Sequence, residues 1–227
     1  MYNWSGVKKK KTALSAIFIK AKFRKYKDGE LIIRAGDTPS GVYFIEKGFV
    51  KVYAIEQNGE ENLHIIYKEG EIFPIMWALR GVSKDLYYQS LGKTIVKRLS
   101  KEEFFESIRV VRVAHMELLS TITTIIDVHA DRIENLEIAR SYPRIIARLL
   151  YMANRFGIRR GKGIIIEPPL NHQDIAASIN MTRETASRDL EKLKKKRLIS
   201  YKGKTISIKN IDKLKEELSS NYEKEPL

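Results

Sequence analysis

The stretch Asn171–Arg197, NHQDIAASINMTRETASRDLEKLKKKR, constrains this chain more than any other. It reads as two short helices joined by a sharp turn. Asn171 is placed to cap the first helix, and Asp174 puts negative charge in its first turn. Ile175, Ala176 and Ile179 give that helix one apolar side. Asn180 tolerates the left-handed backbone that a sharp turn needs. Thr182 can then cap a second helix, on which Ala186, Leu190 and Leu193 recur at i, i+4, i+7 as an inward stripe. Arg183, Glu184, Ser187 and Arg188 fall on the other side, within the first two turns. A helix-turn-helix presents those positions of its second helix to base edges in the major groove. Arginine can donate two parallel hydrogen bonds to guanine O6 and N7, and glutamate can accept from the cytosine amino group. Glu184 and Arg188 are four apart, so an ion pair between them is expected to fix the guanidinium. A solvated helix face explains the R-E-T run alone. Cap, turn residue and apolar register together favour DNA binding.

HQDIAASI, TRETASRDLEKL and LISYKGKTISI resemble the C-terminal domain of the cyclic-AMP receptor protein and FNR superfamily of bacterial transcription regulators. The resemblance covers nearly the whole chain. It implies that Arg183, Glu184 and Arg188 are base readers of the R-E-T-x-x-R type, and Ser187 matches a base-contacting serine of the FNR branch. It places His172, Gln173, Thr182, Thr185, Lys202 and Lys204 at or beside phosphate-contacting positions. The implied fold is α+β: an N-terminal antiparallel jelly-roll barrel (residues 1–108), a dimerisation helix (109–138) and a C-terminal winged helix-turn-helix (139–227).

Charge supports the same reading. The net charge is +14, and residues 171–209 hold ten Lys or Arg against four Asp or Glu. Such an excess at a reading head suits phosphate neutralisation. Residues 1–27 hold nine basic residues and no acid; an exposed, frayed basic tail is expected there. The chain contains no cysteine, which excludes disulfides and cysteine-ligated zinc or iron–sulfur clusters and fits a reducing cytoplasm. No apolar run approaches the roughly 20 residues that span a bilayer. Lys20 interrupts the short apolar run near the start, so a cleaved leader is not expected.

Residues 23–99 read as short strands punctuated by glycine. Strands are expected at Leu31–Ile33, Val42–Ile45, Val50–Ile55 and Leu63–Tyr67, separated at Asp28-Gly29, Gly36, Gly48 and Asn58-Gly59. The glycine set is similar to the superfamily's effector-binding barrel. In that family a Gly-Glu-Leu segment and an Arg-Ser-Ala segment hold a cyclic nucleotide. Here Pro74-Ile75-Met76 and Leu86-Tyr87-Tyr88 stand in their places. A buried cyclic phosphate without a cation partner carries a severe desolvation cost, so cyclic-nucleotide binding is not expected. An apolar, aromatic cavity near Met76, Trp77, Tyr87 and Tyr88, or one filled by those side chains, is expected instead. A metal-dependent enzyme barrel needs several histidines with a carboxylate, and His64 stands alone in this region. Neither an enzymatic centre nor a cofactor site is expected.

Residues 101–137 should be helical. His115, Leu119, Ile122, Ile126, His129, Ile133 and Leu136 alternate steps of four and three, a heptad seam for two helices packed along their length. Leu118, Ile125 and Val128 form a second stripe suited to packing on the chain's own barrel. The expected partners are a second copy of the chain and duplex DNA, with half-sites about 34 Å apart. His129 reads as a neutral histidine hydrogen-bonded within the seam. The alternatives are a protonation-sensitive dimer contact and a part in the effector pocket. Ser141 as cap and Pro143 in the first turn start a new helix, with a hinge at Ile138–Ser141. Arg159-Arg160-Gly161-Lys162 is a basic loop; in some family members this loop touches RNA polymerase, and a solvated turn is the simpler account. Lys202-Gly203-Lys204 tips a hairpin wing, and residues 210–220 suit a last amphipathic helix. The rival to a DNA-binding regulator is a dimeric ligand-binding or scaffold protein using its helix-turn-helix for protein contacts.

Overall fold

The computed structural model describes residues 12–222. The basic run Lys8–Lys11 and the last five residues, for which fraying is expected, lie outside the described residues. The chain forms two compact units, divided between His129 and Ala130.

The first unit begins with a helical turn, α1 (Ala13–Ile17), followed by strands β1 (Lys22–Tyr26), β2 (Leu31–Ile33), β3 (Val42–Ile55), β4 (Glu61–Lys68) and β5 (Ile72–Phe73). A short helix α2 (Ile75–Arg80), strand β6 (Tyr87–Leu99), and helices α3 (Lys101–Val110) and α4 (Arg112–Glu137) complete it. The strands form one antiparallel sheet in the order β1-β6-β3-β4, with β2 added to β6 and β5 to β3. Helix α1 is capped twice over. Thr12 and Ser15 form a capping box, and the Glu117 carboxylate accepts from the Ala13 and Leu14 N–H groups at 3.0 and 2.7 Å.

Gly48 does not end a strand, as its spacing suggests. It lies inside β3 at φ +93, with register shifts against β6 between Ile45 and Phe49. The flanks Val42–Ile45 and Val50–Tyr53 are buried and pair with the same strand, so the glycine bends β3 without ending it. A Cβ at this position would lie 2.6 Å from the Lys93 carbonyl oxygen. The Asn58-Gly59 turn is present, although wider than a two-residue hairpin. Ile55 pairs with Glu61, and the Gly59 N–H donates to the Glu56 carbonyl at 2.9 Å.

Phe73 organises the interior of this unit. Its ring stacks against Tyr43, Tyr67 and Tyr88 at centroid distances of 5.3, 5.7 and 5.4 Å. Each such pair contributes roughly 0.5–1.5 kcal/mol beyond area burial. Burial pushes the Tyr88 phenol up to about 12. Met76, Trp77, Tyr87 and Tyr88 are not gathered around one space. Successive strand residues face opposite sides, so Tyr88 joins the Phe73 stack while Tyr87 stacks on Tyr53 at 5.2 Å. Met76 is exposed, and the Trp77 ring lies 5.6 Å from the Lys101 ammonium.

The helix expected over 101–137 is broken at Val111. The interruption resets phase. α3 buries Phe104 and Ile108, a stripe that would continue at 111 or 112, whereas α4 buries Ala114, Leu118, Ile125 and Val128. The second apolar stripe is therefore covered as its spacing implies. The expected seam is largely open: Leu119, Ile126 and Ile133 are 54%, 60% and 59% exposed.

The second unit continues from α4 into α5 (Ser141–Phe156), β7 (Gly157–Arg160), β8 (Gly163–Ile166), α6 (His172–Ser178), α7 (Arg183–Lys195), β9 (Ile199–Lys202), β10 (Thr205–Ile208) and α8 (Ile211–Tyr222). Its core is the apolar face of α5, where Ile145, Ile146, Leu149, Met152 and Ala153 are fully or almost fully buried. Arg159 and Arg160, read above as loop residues, lie on β7 and pair with Ile164 and Gly163. The wing belongs to a four-stranded sheet, β7-β8-β10-β9. At its tip Lys202 pairs with Thr205, and Gly203 takes φ +60, as a two-residue turn requires.

Gly48→Ala should lower the urea-unfolding free energy by more than about 1 kcal/mol, because alanine suits neither the positive φ nor the space. An unchanged midpoint would remove the bulge from the list of structural constraints.

Candidate nucleic-acid interface

The Asn171 side chain caps α6 by accepting from the Asp174 N–H at 2.8 Å, and Asp174 accepts in return from the Asn171 N–H at 3.0 Å. Two residues past the end of this helix, Asn180 takes φ +48 and turns the chain sharply. The Met181 N–H reaches back to the Ala176 carbonyl at 3.1 Å. Thr182 caps α7 by accepting from the Thr185 N–H at 3.3 Å. Ala186, Leu190 and Leu193 are completely buried. At the far end Arg197 takes φ +58, and the Leu198 and Arg197 N–H groups bond the Leu193 and Lys194 carbonyls. That pattern is a Schellman closure, made here with a residue other than glycine at its left-handed position.

Arg183, Glu184 and Arg188 project into solvent from the first two turns of α7. The expected Glu184–Arg188 ion pair is not formed. Both side chains are exposed, where the attraction of such a pair scarcely outweighs the side-chain entropy lost in making it. Ser187 is half-buried, and its Oγ lies 2.9 Å from Nδ1 of His172. The His172 ring also packs on Tyr201 of β9 at a centroid distance of 5.4 Å. Burial holds the His172 pKa below the usual histidine value; Arg183 and Lys194 push the same way, and Glu191 opposes them. A cleft of about 520 Å³ opens between the start of α6, α7 and the wing, lined by His172, Gln173, Arg183, Lys194, Tyr201 and Lys204 among others. The structure thus collects His172, Gln173, Arg183 and Lys204 around one concave, basic surface. Lys202 stands exposed at the adjoining hairpin.

The geometry has counterparts among known proteins. Residues 143–217 match the family described as the Crp-like helix-turn-helix domain, and residues 23–110 match the cyclic nucleotide-binding domain. The chain is 30% identical over 198 residues to the global nitrogen regulator of Synechococcus elongatus, covering 86% of this chain and 89% of that one. The chain belongs to the Crp/Fnr superfamily. Against the cAMP-activated global transcriptional regulator CRP of Salmonella typhimurium it is 25% identical over 186 residues, 81% of this chain and 88% of that one. Two solved structures share the fold. A CooA mutant from Carboxydothermus hydrogenoformans has a TM-score of 0.73 at 20% identity, covering 90% of each chain. FixK2 from Bradyrhizobium japonicum has a TM-score of 0.71 at 21% identity, covering 87% of this chain and 97% of that one.

As a Crp/Fnr regulator the chain is a DNA-binding transcription factor and not an enzyme. Its fold is the α+β combination of antiparallel N-terminal sheet and C-terminal helix-turn-helix.

Several side chains that hold the reading head in place are not apparent from the motif. Ser141 was assigned above as the cap of α5. Arg140 occupies that position without a side-chain capping bond to the helix, and Ser141 is the first helical residue. Its hydroxyl is instead directed to Asp189 of α7, donating to Oδ2 at 2.6 Å. Arg144 donates to the carbonyls of Ile138 and Ala139 and to that of Ile179, at 2.7, 3.3 and 3.2 Å. The Arg132 guanidinium donates to the Asn180 side chain at 3.2 Å. Arg148 is buried, donates through Nε to the Ser178 hydroxyl at 2.9 Å and lies over the Tyr151 ring; burial pushes its pKa down to about 10. Asp189 and Arg148 carry a readable signal, since each is a charge set on its helix's apolar stripe. Arg132 and Arg144 carry none.

Removing the Ser141 hydroxyl strips a buried carboxylate of its hydrogen bond. Ser141→Ala is expected to cost about 1–3 kcal/mol in chemical denaturation of the helix-turn-helix unit, and a loss under about 0.3 kcal/mol would show the bond to be incidental.

Proposed function

We propose that this regulator works as a homodimer, paired along α4, and binds a palindromic operator whose half-sites resemble TGTGA. The observation that carries the proposal is a coincidence of two exposed surfaces. One is the heptad stripe centred on Leu119, Ile126 and Ile133, apolar and uncovered in the single chain. The other is the N-terminal face of α7, where Arg183, Glu184 and Arg188 lie free of intramolecular ion pairs among the described residues. Apolar side chains at seven-residue spacing are costly to leave in water, and a second α4 covers them without disturbing the stripe packed inward. Ile122, His129 and Leu136, the interleaved seam positions, are half-buried already, while His115 is exposed with Nδ1 3.2 Å from the Arg112 carbonyl oxygen.

In the complex, Arg183, Glu184, Ser187 and Arg188 read base edges. His172, Gln173, Thr182, Thr185, Lys202 and Lys204 hold the phosphates on either side. The N-terminal unit serves as a sensor for an effector other than a cyclic nucleotide, or has no effector. The Phe73 stack fills its interior with rings, and Lys51, a buried cation of this unit, is committed to Glu61 at 2.9 Å. Regulation takes place in the cytoplasm, on duplex DNA, with contact to RNA polymerase through the β7–β8 turn. No helix among the described residues is long and apolar enough to cross a membrane.

Two measurements test this reading. Arg188→Ala should cost roughly 1–3 kcal/mol on the operator and relax the choice at one base pair; an equal loss on operator and scrambled duplex contradicts base reading. Ile126→Asp should convert the dimer to monomer in sedimentation and weaken operator binding on the order of a hundredfold. A dimer that survives this change is not paired through α4.

A further inference from the structure

Ser187 offers a base one hydroxyl, with one hydrogen to donate and two lone pairs to accept with. Which of these it presents depends on what already holds it. In this chain the holder is His172, whose Nδ1 lies 2.9 Å from Ser187 Oγ. Nε2 of the same ring has no hydrogen-bond partner among the described residues and belongs to a residue that lines the basic cleft. A DNA phosphate at that cleft favours a hydrogen on Nε2, because a phosphate oxygen can only accept. The neutral imidazole then carries its lone pair on Nδ1. Ser187 must donate its single hydrogen there, and only lone pairs remain for the base.

Major-groove edges separate on that property. Cytosine N4 and adenine N6 donate, whereas guanine and thymine present acceptor atoms alone. We infer that His172 is a specificity-determining residue. By accepting the Ser187 hydrogen bond at Nδ1, it makes Ser187 an acceptor-only reader that selects an amino-bearing base over a keto base. The inference rests on Ser187 facing a base, as proposed above, and deepens that reading by giving the serine a sign.

In the protein without DNA the surrounding groups favour the neutral ring, while a phosphate at Nε2 favours the charged one. Around His172 stand Arg183, Glu191 and Lys194 on α7, Tyr201 on β9, Lys204 in the wing turn and Asp174 on its own helix. Burial is the largest influence and disfavours the imidazolium; Glu191 favours it, and Arg183 and Lys194 oppose it. When the pH falls far enough, Nδ1 gains a hydrogen and donates to Ser187. The hydroxyl hydrogen is then free to reach guanine O6 or N7, or thymine O4, and the preference disappears. The sign is definite: selectivity is present at high pH and lost on acidification.

The test selects duplexes with two-fold-related randomised half-sites on the full-length protein, with the bound fraction sequenced. Unmodified protein, His172→Ala, Ser187→Ala and the double variant are compared between about pH 8 and pH 5.5. The preference is a ratio between sequences, so any phosphate affinity that goes with the imidazole cancels. Expected is a preference for amino-bearing over keto bases at one half-site position, roughly fivefold at pH 8. His172→Ala and Ser187→Ala should remove it equally, the double variant should lose no more, and in unmodified protein it should fade with falling pH. A His172→Ala protein that keeps the preference overturns the inference and leaves Ser187 as a reader. A Ser187→Ala protein that keeps it overturns both. Should His172→Ala fail to fold, His172→Phe takes its place: a preference that survives the loss of the Nδ1 acceptor overturns the inference.

Discussion

The turn at Asn180 sets the angle of α7, and the reading of DNA depends on that angle. A left-handed residue other than glycine costs roughly 1–2 kcal/mol, and α7 is bounded by two of them, Asn180 and Arg197. Against this, full burial of Leu190 and Leu193 contributes roughly 1.5–3 kcal/mol each. The apolar contacts therefore outweigh the turns, but not by much. A helix held by two leucines and an alanine can also roll about its axis, since apolar contact carries no direction. Hydrogen bonds carry direction. Ser141 fixes Asp189 from one side, while Arg132 and Arg144 hold the turn itself through Asn180 and the Ile179 carbonyl. All three ties start in the segment that joins α4 to α5 or beside it. Buried Arg148 supports the same corner from beneath, through Ser178.

The sequence made the reading head legible because its signals are local. Asn171 and Asp174, Thr182 and the left-handed Asn180 each act within four residues of chain, and all take the expected geometry. The antiparallel sheet was equally readable from alternation and turn residues. What stayed hidden was non-local. Gly48 looks like a strand end until the partner strand is known to run past it on both sides. Tyr87 and Tyr88 look like one cluster until the pleat separates them. Ser141 matches a cap in sequence, yet an acceptor on α7, 48 residues away, draws its hydroxyl elsewhere. The Glu184–Arg188 spacing is right for a pair that solvation leaves unmade. His172 and Ser187 were both singled out, but their meeting across 15 residues was not foreseeable from spacing.

The interior of the N-terminal unit is held by stacked rings. Phe73, immediately before Pro74, is the centre of the stack, with Tyr43, Tyr67 and Tyr88 around it. The interior thus gains cohesion from aromatic faces. Lys51 shows an economy of charge: it is buried, paired to Glu61 and laid 4.8 Å from the Tyr53 ring. A buried cation so satisfied has little remaining attraction for an anion.

The hairpin that carries Lys202 and Lys204 is one edge of a continuous ladder. β10 lies between β9 and β8, with Ile206 and Ile208 opposite Ile166 and Ile164. Backbone pairing, not side-chain identity, therefore sets how far its tip stands from α7. Exchanging the lysines at that tip would change its hold on phosphate without moving the turn, because the ladder fixes the turn whichever side chains it carries. An insertion that slips the strand by one residue would invert every side chain and move the whole tip. The place of the tip is thus set by the length of its strands and its hold on DNA by their side chains.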